Sequence, residues 1–225
     1  MKALLYKEFK LAMHPMCYVF IALFPLMILI PSYPIAIGFI YVLSCYPVLF
    51  LGANKGQQSN DLLYSTLLPI RKRDIVKARI FTVAIMQFAF IAIMSALAPL
   101  AISLRQAIAT SSGEPVVDIG LGMGSFVLIL AIAIVGFSVA DLIFFAKYYK
   151  SGKSIVGSTL LTILGFAAYL GIFTIALPFI PGLGFLNHLP LYVQFIVLGA
   201  ELGIYAAMHV LVYKVSSKEL ERVDF

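Results

Sequence analysis

The chain has 225 residues, 62% of them hydrophobic and only 12% charged, with a mean hydropathy of +1.04. A soluble domain of this length has no use for so much apolar surface, so the composition excludes a soluble globular protein. The net charge of +6 does not point to nucleic acid, because the basic residues sit in short polar breaks between long apolar runs rather than along one face.

Runs of about 20 apolar residues suit α-helices crossing a hydrocarbon layer roughly 30 Å thick, and the shorter alternating segments of a β-barrel are missing. The expected fold is all-α, a single polytopic transmembrane domain over residues 1–225 with six membrane-spanning helices. Met1 to Met13, MKALLYKEFKLAM, gathers Leu5, Tyr6, Phe9, Ala12 and Met13 within about 120° of helical arc, with Lys7 and Lys10 elsewhere. That pattern predicts an interfacial helix lying in the headgroup layer. The following apolar run ends in Pro31-Ser32-Tyr33-Pro34 rather than in a small-residue cleavage site, so the segment is expected to stay attached.

Span one is expected over about 16–30 and span two over about 35–53, joined by a tight turn. A polar segment over 54–79 follows, and then span three (80–104), a polar loop from Arg105 to Gly120, span four (121–145) and a basic loop with Lys147, Lys150 and Lys153. Span five (155–179) leads through a Pro/Gly break to span six (190–213) and a charged tail of helix or coil. All of the 16 Lys and Arg residues except Arg105 fall on the side that also holds both termini, and that asymmetry makes the termini and basic loops cytoplasmic. In the absence of Trp, the interface belt falls to Tyr33, Tyr148, Tyr149, Tyr192 and Tyr213. Cys17 and Cys45 lie inside apolar runs and read as packing residues.

The most charged stretch is Asp61 to Arg79, DLLYSTLLPIRKRDIVKAR. Its apolar half, with Leu62, Leu63, Tyr64, Leu67 and Leu68, is more than a solvated linker needs. The segment reads as a docking element: a short helix over roughly 60–67, ended near Pro69, is expected to present Leu62, Leu63, Tyr64 and Leu67 to a partner, and the basic half is expected to carry Arg71, Lys72, Arg73 and Asp74 into span three.

No catalytic site is expected. Gly152-Lys153-Ser154 resembles the end of a phosphate-binding loop, but Lys147 stands where the pattern needs its first glycine. His14, His188 and His209 fall at different depths, so they share no metal, and no nucleophile motif is present. Glu201 sits near the middle of span six, where facing lipid costs at least about 2.5 kcal/mol. It is expected to face protein or a watery cavity, with Tyr205 one turn on as a hydrogen-bond partner, as a pathway, gating or helix-tying group. Gly199, Gly203 and Ala207 form a small-residue face for helix packing or dimer formation. Asp141, a few residues before Lys147, is expected to reach the headgroups or a nearby lysine.

The run LLYSTLLPIRKRDIVKARI resembles the signature, roughly l-y-s-L-P-v-s-R-k-e-i-V-l-a-K-y-l, that bacterial ATP-binding-cassette (ABC) exporter permeases of the type-2 class carry between their second and third spans. Leu62, Leu63, Tyr64, Leu68, Pro69, Lys72, Asp74, Ile75, Val76 and Lys77 or Arg79 stand at or near matching positions, and MKALLYKEFKL looks like that family's N-terminal interfacial helix. The chain departs from the pattern at Arg71, where the family often has a small polar helix cap, and at Asn54 and Lys55, where relatives often have acidic residues.

The resemblance implies a permease subunit with no cofactor of its own. ATP and Mg would be held by a separate nucleotide-binding ATPase subunit docked on the Leu62–Asp74 segment, whose short helix becomes a coupling helix. It also implies a second permease copy or paralogue, a bacterial cytoplasmic membrane with its lipid, and export of a hydrophobic or amphipathic substrate such as a peptide, drug or lipid. The alternatives are a stand-alone ion-coupled carrier or channel using Glu201, and a non-transporting immunity or scaffold membrane protein.

Overall fold

The structure, a computed structural model, describes residues 2–13, 15–30, 70–113, 126–150, 155–172 and 190–222, which are almost entirely helical. Span two, the segment Leu62–Pro69 and the Pro/Gly break before span six lie outside the described residues, as does Cys45.

The first helix, α1 (Lys2–Lys7), widens into a π-turn over Glu8–Ala12, in which the Met13 N–H donates to the Glu8 carbonyl five residues back at 2.9 Å. Helix α2 (Met16–Leu26) follows and tightens into a 3-10 turn over Met27–Leu29. The Tyr18 hydroxyl donates to the Phe9 carbonyl at 2.7 Å and ties the two helices together. Helices α3 (Lys72–Ser112), α4 (Phe126–Lys150), α5 (Ile155–Gly171) and α6 (Leu191–Arg222) complete the described elements. Three of them, α3, α4 and α6, are long and apolar enough to cross a membrane, and Cys17–Leu29 and Gly157–Tyr169 are shorter apolar helices.

Helix α3 begins about two turns before Ile80, because Arg71 takes an extended conformation and Asp74 falls in the first turn, where a carboxylate favours the helix N-terminus. It also runs past the expected end at Leu104. Residues Arg105 to Ser112 are its last two turns and not a loop, because the short polar side chains satisfy themselves against the helix: Thr110 donates to the Gln106 carbonyl at 2.8 Å and Ser112 to Ile108 at 2.9 Å. Gly113 stops the helix in the left-handed region at φ 68°, its N–H on the Ala109 carbonyl. The charged tail is likewise helical, as α6 continues to Arg222.

Helix α4 is the centre of the bundle, with α6 on one side and α5 on the other, while α3 packs on α2 and α6. Its contact with α5 is close because Gly136 has no side chain: a Cβ there would lie 2.8 Å from Phe166 and 3.0 Å from Tyr169. Gly165 does the same for Ile143 from the other side. Phe137 stacks on Phe166, and the Tyr169 hydroxyl donates to the Ile132 carbonyl at 2.9 Å. The face of α6 that carries Gly199, Gly203 and Ala207 is different. It is exposed, and a Cβ on either glycine would meet nothing within 4 Å, so no described helix packs on it.

The aromatic belt is also smaller than expected. Tyr148 and Tyr149 are buried in a stacked cluster with Phe144 and Phe145, whereas Tyr192 is exposed and Tyr213 is half-buried. Cys17 packs in the same core.

Candidate functional site

Two polar clusters are built on α3, at the end of the bundle where the basic residues of α3, α4 and α6 gather. The first centres on Arg79, which is buried and makes a two-pronged ion pair with Glu8: Nε donates to Oε2 at 3.0 Å and Nη2 to Oε1 at 3.3 Å. Its third nitrogen, Nη1, lies 3.4 Å from the Tyr148 hydroxyl on α4, and Lys7 Nζ stands 3.5 Å from Glu8 Oε1. A guanidinium with its donors spread over one carboxylate and one phenol, away from water, is a strong and directional contact. It locks the N-terminal segment onto α3 and α4 together.

This differs from a helix that merely floats in the headgroups. Met13 is buried and Phe9 is packed against the core, as the apolar arc demands, but Tyr6 points out at 59% exposure and the charged Glu8 points in. The π-turn begins at Glu8, and sequence periodicity at 3.6 residues cannot register such a turn.

The second cluster lies about 12 Å deeper along α3, eight residues on. Gln87 donates from Nε2 to both oxygens of Asp141, at 3.2 and 3.0 Å, and accepts from the Tyr205 hydroxyl on Oε1 at 2.5 Å. His209 closes the circuit. Its Nδ1 lies 2.9 Å from the Tyr205 carbonyl, and because a carbonyl only accepts, Nδ1 carries a proton. Its Nε2 is 3.1 Å from Asp141 Oδ2, a close ion-pair approach outside hydrogen-bond alignment. Asp141 has no exposed surface, so its carboxylate depends on these partners in place of water.

The sequence-based candidates fare unequally against these clusters. Arg73 is exposed and pairs with Glu221 on α6 at 2.6 Å, and this contact draws the Glu221 carboxyl below its ordinary range, chiefly through the hydrogen bond from Arg73. Arg71 is exposed beside it, and Lys72 and Asp74 occupy the first turn of α3. Glu201 and Tyr205 do not bond to each other, because the Tyr205 hydroxyl goes to Gln87, and one Glu201 oxygen, Oε2, is buried with no hydrogen-bond partner among the described residues. Asp141 is a clear correction. It is fully buried, about 14 Å inside the end of α4 because the helix continues to Lys150, and it faces Gln87 on α3 and His209 on α6 instead of the headgroups.

Glu8, Gln87, Asp141 and His209 are thus the residues that sequence reasoning undervalued. The available signal was an amide and a carboxylate inside long apolar runs, where burial without a partner is costly. Among the described residues no three His, Cys, Asp or Glu side chains form a metal-binding group. Comparison with protein-family models, curated proteins and solved structures finds no match for this chain.

Proposed function

We propose that this chain is the membrane-spanning permease subunit of an ABC exporter of the type-2 class, set in a bacterial cytoplasmic membrane with both termini cytoplasmic. It couples ATP hydrolysis by a separate nucleotide-binding subunit to outward movement of a hydrophobic or amphipathic substrate. The observation that carries this reading is the single unbroken helix α3, which starts at Lys72, directly after the apolar segment Leu62–Pro69, and holds both polar clusters. A displacement of the docking segment enters the first turn of α3. Because a hydrogen-bonded helix hardly compresses, Arg79 and Gln87 move with it, and they carry the N-terminal helix, α4 and α6 along. The open face of Gly199, Gly203 and Ala207 fits a helix from a second permease copy or paralogue.

The test uses Leu63→Asp and Leu67→Asp in the native host. Both variants insert normally and still bind substrate, but the co-purified ATPase is lost or its turnover no longer drives transport. Normal transport by both variants removes the docking assignment.

A second reading, an ion-coupled carrier, draws on the Asp141–His209 dyad rather than on Glu201, because an ionisable pair buried among apolar helices is a usual feature of proton and cation pathways. It requires uptake or efflux driven by an imposed pH gradient without ATP and abolished in Asp141→Asn. Transport that ignores the gradient eliminates it.

A further inference from the structure

Helices α3 and α6 are antiparallel and joined at two levels, by Arg73 to Glu221 near the basic end and by Gln87 to Tyr205 deeper in. Between these two pins the helices do not close. Ala84 and Ala206 are too small to meet, and they leave an open-sided cleft of about 610 Å³. Its walls are apolar, with Phe81 on one helix and Val210 on the other presenting 48% and 55% of their surfaces. The inner end is stopped by Phe88 against Tyr205, ring centroids 5.3 Å apart. The outer end carries the exposed ammonium of Lys77 and the half-buried Tyr213.

The dimensions and the charge identify an occupant. From Lys77 to Phe88 the helix rises about 16 Å, one leaflet's share of a hydrocarbon layer roughly 30 Å thick. An apolar trough one leaflet deep, with a cation at its headgroup end, is complementary to an acyl chain that carries an anionic phosphate. The neighbouring cation Arg73 is engaged by Glu221, and Asp74 lies a turn earlier in the first turn of α3, so Lys77 supplies the charge that faces the trough.

We propose that the α3–α6 cleft is a binding site for one anionic phospholipid of the leaflet at the basic end, with its phosphate on Lys77 and one acyl chain lying over Ala84 and Ala206. The phosphate gains a charge-assisted contact from Lys77, with the Tyr213 hydroxyl beside it, and the chain covers apolar surface that no described helix covers. The proposal rests on α3 and α6 lying in a membrane, not on the partnership with an ATPase.

The full chain is reconstituted in vesicles of equal parts phosphatidylglycerol and phosphatidylcholine, extracted gently, and weighed by native mass spectrometry. One phosphatidylglycerol per chain is expected, held about fivefold in preference to phosphatidylcholine. Lys77→Gln, at an exposed position that keeps the fold, removes the preference, and Ala206→Phe, which fills the trough, removes the retained lipid. Equal retention of the two lipids by the wild type, or a preference unchanged in Lys77→Gln, overturns the proposal. So does a disulfide between two copies through Phe81→Cys and Val210→Cys in the reconstituted chain, which would place a second subunit in the cleft.

Discussion

Two ion pairs leave the same helix within two turns of each other, and they hold different things by different physics. Both join segments far apart in sequence, but Arg79 is buried with Glu8, whereas Arg73 and Glu221 meet in the open, with 60% and 43% of their side chains exposed. A buried pair that loses one partner leaves an uncompensated charge out of water. An exposed pair that loses one partner leaves a solvated ion, and its attraction was weak and screened from the start. The inner pair therefore determines where the N-terminal helix sits, while the outer one trims the ends of α3 and α6.

The largest effect should follow from breaking the inner pair on one side. Glu8→Ala or Arg79→Ala is expected to cost about 3–5 kcal/mol, read as a large fall in melting temperature in detergent, and to free the N-terminal segment for proteolysis. The double replacement Glu8→Leu with Arg79→Met should recover much of the loss, because neither charge is then stranded. Equal effects of Glu8→Ala and Glu221→Ala would erase the distinction between the pairs.

Much of this layout can be read in the sequence, and the remainder is hidden for a physical reason. Long apolar runs mark α3, α4 and α6 because a membrane-length helix imposes its own composition. Partners do not show in this way. Gln87 meets Asp141 across 54 positions and Tyr205 across 118, and Arg79 meets Glu8 across 71, so no local spacing records these contacts. Asp141 reads as a headgroup residue because Lys147 follows it, but α4 continues to Lys150 and buries the carboxylate. Glu201 is the acidic residue of the sixth apolar run, yet the bonded network lies on the neighbouring Tyr205 and His209.

A smaller effect is expected where the buried partner is neutral. Gln87→Leu removes an amide that serves both Asp141 and Tyr205, and the cost should be about 1–3 kcal/mol, from the acceptor and donor it strands. Tyr205→Phe removes one hydroxyl from the same network and should cost about 0.6 kcal/mol, the usual worth of a side-chain hydrogen bond between membrane helices. Thermal unfolding of the two variants side by side checks the order. A Tyr205→Phe variant as damaged as Gln87→Leu would mean that the network breaks as a unit.

The smallest effect belongs to the outer pair, and its pH dependence has a definite sign. Arg73 holds the Glu221 carboxyl below its ordinary value, so the folded chain binds that proton less tightly than the unfolded chain does. The stabilisation is therefore complete above the ordinary glutamate pKa of about 4.3 and is lost as the pH falls through the lower folded value. Wild type and Glu221→Gln should differ slightly and constantly from neutral pH down to about 5 and converge below about 4. Because both side chains stand in solvent, raising the salt to about 1 M, where charges are screened within roughly 3 Å, should remove the difference at neutral pH as well. The same salt should leave the cost of Glu8→Ala almost unchanged, since little solvent reaches Arg79. A salt dependence shared by both pairs would show that water reaches the inner one.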